Sequence, residues 1–175
     1  MQQEPELKLK HQNNRRQTGF TLIELVVVVS VIAILSAIAL PRYINLQTQA
    51  RIAKAQALLG SVKAAAALAR AACMTDRAGL TNVAPTCTAT DGTINMDGLA
   101  IPMRNQYPEA SGTGIVAAAQ LNATADQIVI TPGATAADPL TIDMVGGTAP
   151  NCRITYTPAA AGPAFLSPTL SSTGC

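Results

Sequence analysis

Aromatic side chains make up only 3% of this 175-residue sequence, and tryptophan is absent. Proteins that hold single-stranded nucleic acid stack its bases on aromatic rings beside clustered cations, so that mode has little to work with here. Charge is scarce as well, at 13% of residues. Residues 1–19 carry Lys8, Lys10, Arg15 and Arg16 against Glu4 and Glu6; beyond them eight basic and eight acidic residues remain. A neutral remainder argues against electrostatic capture of nucleic acid, although a fold can still gather Arg77, Arg104 and Arg153.

Histidine occurs once, at His11. Beyond residue 19, Ser–His or Cys–His nucleophilic chemistry therefore has no base. Asp91, Asp97, Asp126, Asp138 and Asp143 lie scattered through turn-like sequence without the spacing of an acid–base pair. Asp91-Gly92 and Asp97-Gly98 read as turns, and no D-x-D-x-D-G calcium loop is written. No C-x-x-C pair occurs, which disfavours zinc. The expectation is a non-enzymatic chain with no catalytic residue, cofactor or metal.

What the sequence does have is one long apolar run. From Phe20 to Leu40 only Thr21, Glu24, Ser30 and Ser36 are not apolar. As a helix this run spans roughly 30 Å, the thickness of a bilayer's hydrocarbon core. Glu24 lies inside it, and an ionisable residue at such a position is a functional candidate because desolvating it is costly. No apolar h-region precedes Gly19, so an ordinary signal peptide is not present. Arg15-Arg16 just before the run places the N-terminus in the cytoplasm and the rest outside by the positive-inside rule. A twin-Arg export signal is the competing reading of that pair, against which stand the length of the run and its acid.

The stretch Gly19-Phe20-Thr21-Leu22-Ile23-Glu24-Leu25, after a short basic leader, resembles the class III signal of type IV pilins and type II secretion pseudopilins. The resemblance implies cleavage between Gly19 and Phe20 by a membrane-embedded prepilin peptidase, followed by N-methylation of Phe20. It implies that Glu24 docks a subunit onto a growing filament through the Phe20 amine of a neighbour. It further implies a pilus assembly platform and its ATPase as partners, with the chain in the inner membrane first and in an extracellular filament afterwards. Pro41, which removes a helical donor and crowds the Ala37 carbonyl, matches a pilin proline near which the helix kinks or locally melts.

Beyond Pro41, residues 43–72 read as a long amphipathic helix. Ile52, Ala55, Leu59, Val62, Ala66, Ala69 and Cys73 recur at steps of three and four, forming one core-facing stripe. Arg51, Lys54, Lys63 and Arg70 read as its solvated face. Residues 74–100 are expected to be loop-rich, and 113–122 to form a short helix. Strands are expected at 127–131, 140–145, 153–157 and from 164 to 166 or beyond, with Pro168 confining the last to an edge. Four cysteines suit disulfides in an oxidising compartment. Of three connectivities, Cys73–Cys87 with Cys152–Cys175 is expected because each pair closes a compact loop.

The fold expected is α+β: a long N-terminal helix packed on a small antiparallel sheet, with a disulfide-closed C-terminal loop, as in type IV pilins. Its parts are a cleaved leader (1–19), a membrane and filament-core helix (20–47) and a globular head (48–175). Pro41-Arg-Tyr-Ile-Asn-Leu-Gln, Ala50-Arg-Ile-Ala and Tyr107-Pro-Glu-Ala with Gly114-Ile are similar to the mannose-sensitive haemagglutinin (MSHA) class, and Cys152-Arg-Ile-Thr-Tyr with Cys175 resembles the closed loop of type IVa pilins. The Cys73 and Cys87 pair departs from that class. The function implied is the major subunit of a type IV pilus, serving attachment and motility. The alternatives are a pseudopilin, which generally has a calcium-bound loop where this chain has Cys152 and Cys175, or a minor or competence pilin that binds DNA or a surface ligand.

Overall fold

The structure is a computed structural model that describes residues 19–80, 84–160, 162–171 and 173–175. The basic pair Arg15-Arg16 and the leader before Gly19 lie outside them. The chain forms two units, Met1–Arg42 and Tyr43–Cys175. One helix, α1 (Leu22–Arg77), contributes to both and contains Pro41.

In the first unit the helix is apolar all round and none of its side chains is buried. Ser30 is the exception to that apolarity that the helix resolves internally, its hydroxyl donating to the Val26 carbonyl at 2.7 Å.

In the second unit α1 runs five residues past the expected end at 72, to Arg77. Among the described residues seven strands follow: β1 (Asp91–Met96), β2 (Leu99–Arg104), β3 (Tyr107–Pro108), β4 (Ile128–Thr131), β5 (Leu140–Met144), β6 (Cys152–Thr157) and β7 (Phe165–Leu170). They make two antiparallel sheets, ordered β1-β2-β3 and β4-β5-β6-β7. The expectation of loops across 74–100 fails, because β1 and the start of β2 lie there as a hairpin. Its two-residue turn is Asp97-Gly98, both with positive φ (50° and 82°), the geometry that Asp-Gly favours between paired strands. Asp91-Gly92, expected as a turn, opens β1 instead. The short helix expected at 113–122 is a wide helical turn at Gly112–Val116, capped by the Ser111 hydroxyl accepting from the Gly114 N–H.

The core follows from the helical stripe. Ala55, Val62 and Ala66 pack against Ile128, Leu140, Ile142, Met144, Ile154 and Tyr156. Ala69 and Cys73, further along the same stripe, pack on Cys87 and on Ile94, Ile101 and Met103 of the three-stranded sheet. Ile52 and Leu59 are half-buried at its margin. Inward and outward residues alternate strictly along β5 and β6, as a sheet covered on one face requires. On the outer face Asp143 opposes Arg153 in register and accepts two guanidinium bonds, at 2.7 and 2.9 Å. β7 continues through Pro168 and is an edge strand, where a missing N–H is tolerated.

Disulfides join Cys73 to Cys87 and Cys152 to Cys175, with Cα–Cα distances of 5.4 and 4.7 Å. Arg51 of α1 donates to the Cys175 carbonyl at 2.8 Å, tying the C-terminal loop to the helix. Gly146 (φ +80°) lies against that guanidinium, where a Cβ would come within 3.0 Å of it. Tyr156 links the two sheets: fully buried on β6, it donates to the Pro108 carbonyl of β3 at 2.7 Å.

Burial, with a smaller contribution from Tyr107, pushes the Tyr156 hydroxyl well above its ordinary value of 10.0. Below that pH both folded and unfolded chains keep the proton. Above it the unfolded chain ionises while the folded one does not, so stability falls as pH rises. Tyr156→Phe is therefore expected to cost about 1 kcal/mol at neutral pH by losing one hydrogen bond. That deficit shrinks as pH climbs past 10.0, which urea denaturation of the full chain in detergent at a series of pH values measures.

Candidate functional site

The chain approaches α1 through Gly19, Phe20 and Thr21, all outside the helix and exposed. Phe20 is 85% exposed. An exposed, non-helical Gly19–Phe20 bond is open to a peptidase, since a helical peptide group is shielded by its own hydrogen bonds.

Thr21 is the residue the sequence reading missed. Its N–H donates to Glu24 Oε2 at 2.9 Å and its hydroxyl donates to the same oxygen at 2.7 Å. The Glu24 N–H donates back to Thr21 Oγ1 at 3.3 Å. This reciprocal arrangement is a capping box: the first-turn carboxylate and the N-cap hydroxyl each satisfy a backbone donor that the helix start leaves open. Its signal was legible as Thr21-Leu-Ile-Glu24 immediately before an apolar run. A negative charge at this end is also favoured by the helix dipole.

Glu24 thus has a local reason to sit at the start of an apolar segment. Both Thr21 bonds fall on Oε2. Glu24 and Phe20 share one shallow depression with Ile23, Val27 and Val28, about 380 Å³ in volume. The structure therefore brings Phe20 and Glu24 together on one surface. Pro41 and the two disulfides are elsewhere along the chain and take no part in it.

This geometry is that of a capped apolar helix preceded by an accessible peptide bond, and residues 14–40 match the family model for the prokaryotic N-terminal methylation motif. Residues 14–40 thus carry an N-terminal methylation motif. Among named relatives, the "Type IV narrow pilus major component PilA5" of Thermus thermophilus is 48% identical over 54 residues, 31% of this chain and 47% of that protein. The "Fimbrial protein EcpB" of Eikenella corrodens is 50% identical over 50 residues, 29% of this chain and 31% of that one. The "Type IV major pilin protein PilA" of Myxococcus xanthus is 49% identical over 43 residues, 25% and 20% of the two chains. The chain thus spans less than half the length of each of these relatives. None of the three carries the MSHA name. No solved structure matches.

The capping box makes a direct prediction. Thr21→Ala removes the cap and should destabilise the helix start by about 1 kcal/mol, whereas Thr21→Ser should be close to neutral. Amide exchange over residues 22–26 in micelles reads this: faster exchange is expected in the alanine variant alone.

Proposed function

We propose that this chain is the precursor of the major subunit of an extracellular type IV pilus, a structural protein and not an enzyme. The observation that carries the reading is the N-terminal segment itself: a methylation motif on a capped, unburied apolar helix, in a chain similar to a protein named as a major pilus component. Residues 1–19 are the leader, 20–47 the membrane and filament-core helix, and 48–175 the head. A prepilin peptidase cuts between Gly19 and Phe20 and methylates Phe20. Until assembly the chain spans the inner membrane once, with its N-terminus in the cytoplasm. The assembly platform and its ATPase then move it into the filament, which serves surface attachment and motility.

Cleavage creates an amine at Phe20, and Glu24 gains a cationic partner on a neighbouring subunit. In a low-dielectric surrounding an unpaired carboxylate is costly and a paired one much less so, so subunits settle where amine and carboxylate meet. Val, Ile and Leu pack as well against neighbouring helices as against lipid, and transfer from bilayer to filament costs little in apolar contact. Pro41 leaves the Ala37 carbonyl without its usual helical donor, and is the point at which α1 opens as subunits pack.

Electron microscopy of sheared surface material, with antibody against this chain, tests the reading. Long labelled filaments are expected, and their absence where the chain is abundant in the membrane overturns it. Glu24→Val should leave membrane insertion and loss of the leader intact while abolishing filaments. Mass spectrometry of the chain should find an N-terminus at methylated Phe20, and Gly19→Leu should leave the precursor uncut.

A further inference from the structure

Charge in the second unit is sorted by element. Its part of α1 carries Arg51, Lys54, Lys63, Arg70 and Arg77 against Asp76 alone. From residue 78 onward the balance reverses, with Arg104 and Arg153 against five aspartates and Glu109. The unit is neutral as a whole and dipolar in arrangement.

The basic side is also shaped. A groove of about 720 Å³ runs between α1 and β7, lined by Lys63, Arg70, Met74, Tyr107, Phe165 and Leu166 among others, none of them acidic. Phe165 and Met74 are 64% and 51% exposed. The Arg70 guanidinium lies 4.9 Å from the centre of the Tyr107 ring and donates to the Tyr107 hydroxyl. That contact holds Arg70 in place without neutralising it. Lys63 sits one heptad earlier on the same helix face and makes no bond among the described residues.

The acidic side lies at the opposite edge of the four-stranded sheet, since β7 ends one side of the order and β4 the other. Asp126 precedes β4 and Asp138 follows it, on either side of the exposed Val129. Their bonded oxygens take only neutral donors: the Asn122 N–H for Asp126, and the N–H and hydroxyl of Thr135 for Asp138. The groove thus offers two cations beside an apolar floor, and the segments flanking β4 in sequence carry two anions.

We propose that the α1–β7 groove docks the acidic β4 edge of a second copy of this chain. The two surfaces differ, so the contact is head-to-tail and leaves the pair with one free groove and one free edge. Such a contact propagates instead of closing into a dimer, as a filament requires. The proposal rests on the filament reading above and adds where the heads meet. Complementary charge fixes register and suppresses wrong pairings, while the apolar floor supplies buried area.

The test uses the full chain in cells that assemble it. Lys63→Glu touches no bond in the folded subunit and should lower the yield of sheared filaments by at least about ten-fold, because like charges then face each other. Asp138→Lys should do the same, and the two together should restore most of the yield. Membrane level and protease resistance of the chain check that each variant folds. Wild-type yield from Lys63→Glu, or a charge swap no better than Lys63→Glu alone, overturns the proposal. A second measurement holds whatever the filament yield. Carbodiimide treatment of mixed isotope-labelled and unlabelled chains, in filaments or in native membranes, should join Lys63 to Asp126 or Asp138 between copies. Absence of that intermolecular link overturns the interface, whereas absence of filaments with the link present overturns only the filament reading.

Discussion

The first half of α1 presents apolar surface in every direction and buries none of it. Between Phe20 and Leu40, fourteen large hydrophobic side chains are about half or more exposed. Covering a side chain of this kind is worth at least about 1.5 kcal/mol, so together they represent on the order of 20 kcal/mol. That exceeds the net stability of an ordinary domain, roughly 5–15 kcal/mol. Water is therefore a poor surrounding for this half, and the remaining features of the N-terminus follow from that. Its backbone must be satisfied internally, which a helix does. Its one carboxylate must be held by something other than water.

Thr21 answers the second requirement locally. The capping box joins Glu24 to the helix start through bonds that need no second molecule. A carboxylate with no bonds would oppose entry into a bilayer, and one locked in an internal ion pair would have nothing to offer a neighbour. Two neutral donors on one oxygen lie between these extremes.

The second half of the same helix solves a different problem with smaller side chains. Ala55, Ala65, Ala66 and Ala69 are buried with Val62 and Cys73, so the helix backbone can lie close to both sheets. That stripe was legible because a three- and four-residue recurrence survives any tertiary arrangement. So were β4, β5 and β6, whose β-branched runs alternate between core and solvent. The hairpin of β1 and β2 was not, since Asp, Gly, Thr and Asn are the vocabulary of turns, and Asp97-Gly98 marks a hairpin only once two paired strands flank it. Tyr156 shows the same limit. Nothing beside it in sequence indicates that its hydroxyl reaches Pro108, forty-eight positions earlier.

The sequence by itself determined the chemistry of the N-terminus, because methylation motif, cap, acid and apolar run lie within one continuous helix and its approach. Interactions at three and four residues' separation need no fold beyond that helix. The pairing of strands into two sheets, the clamp of Arg51 on Cys175 and the sorting of charge onto opposite sheet edges were decided only by the tertiary structure. Each depends on residues tens of positions apart, and which of them meet is set by how the sheets pack on α1, not by any local pattern.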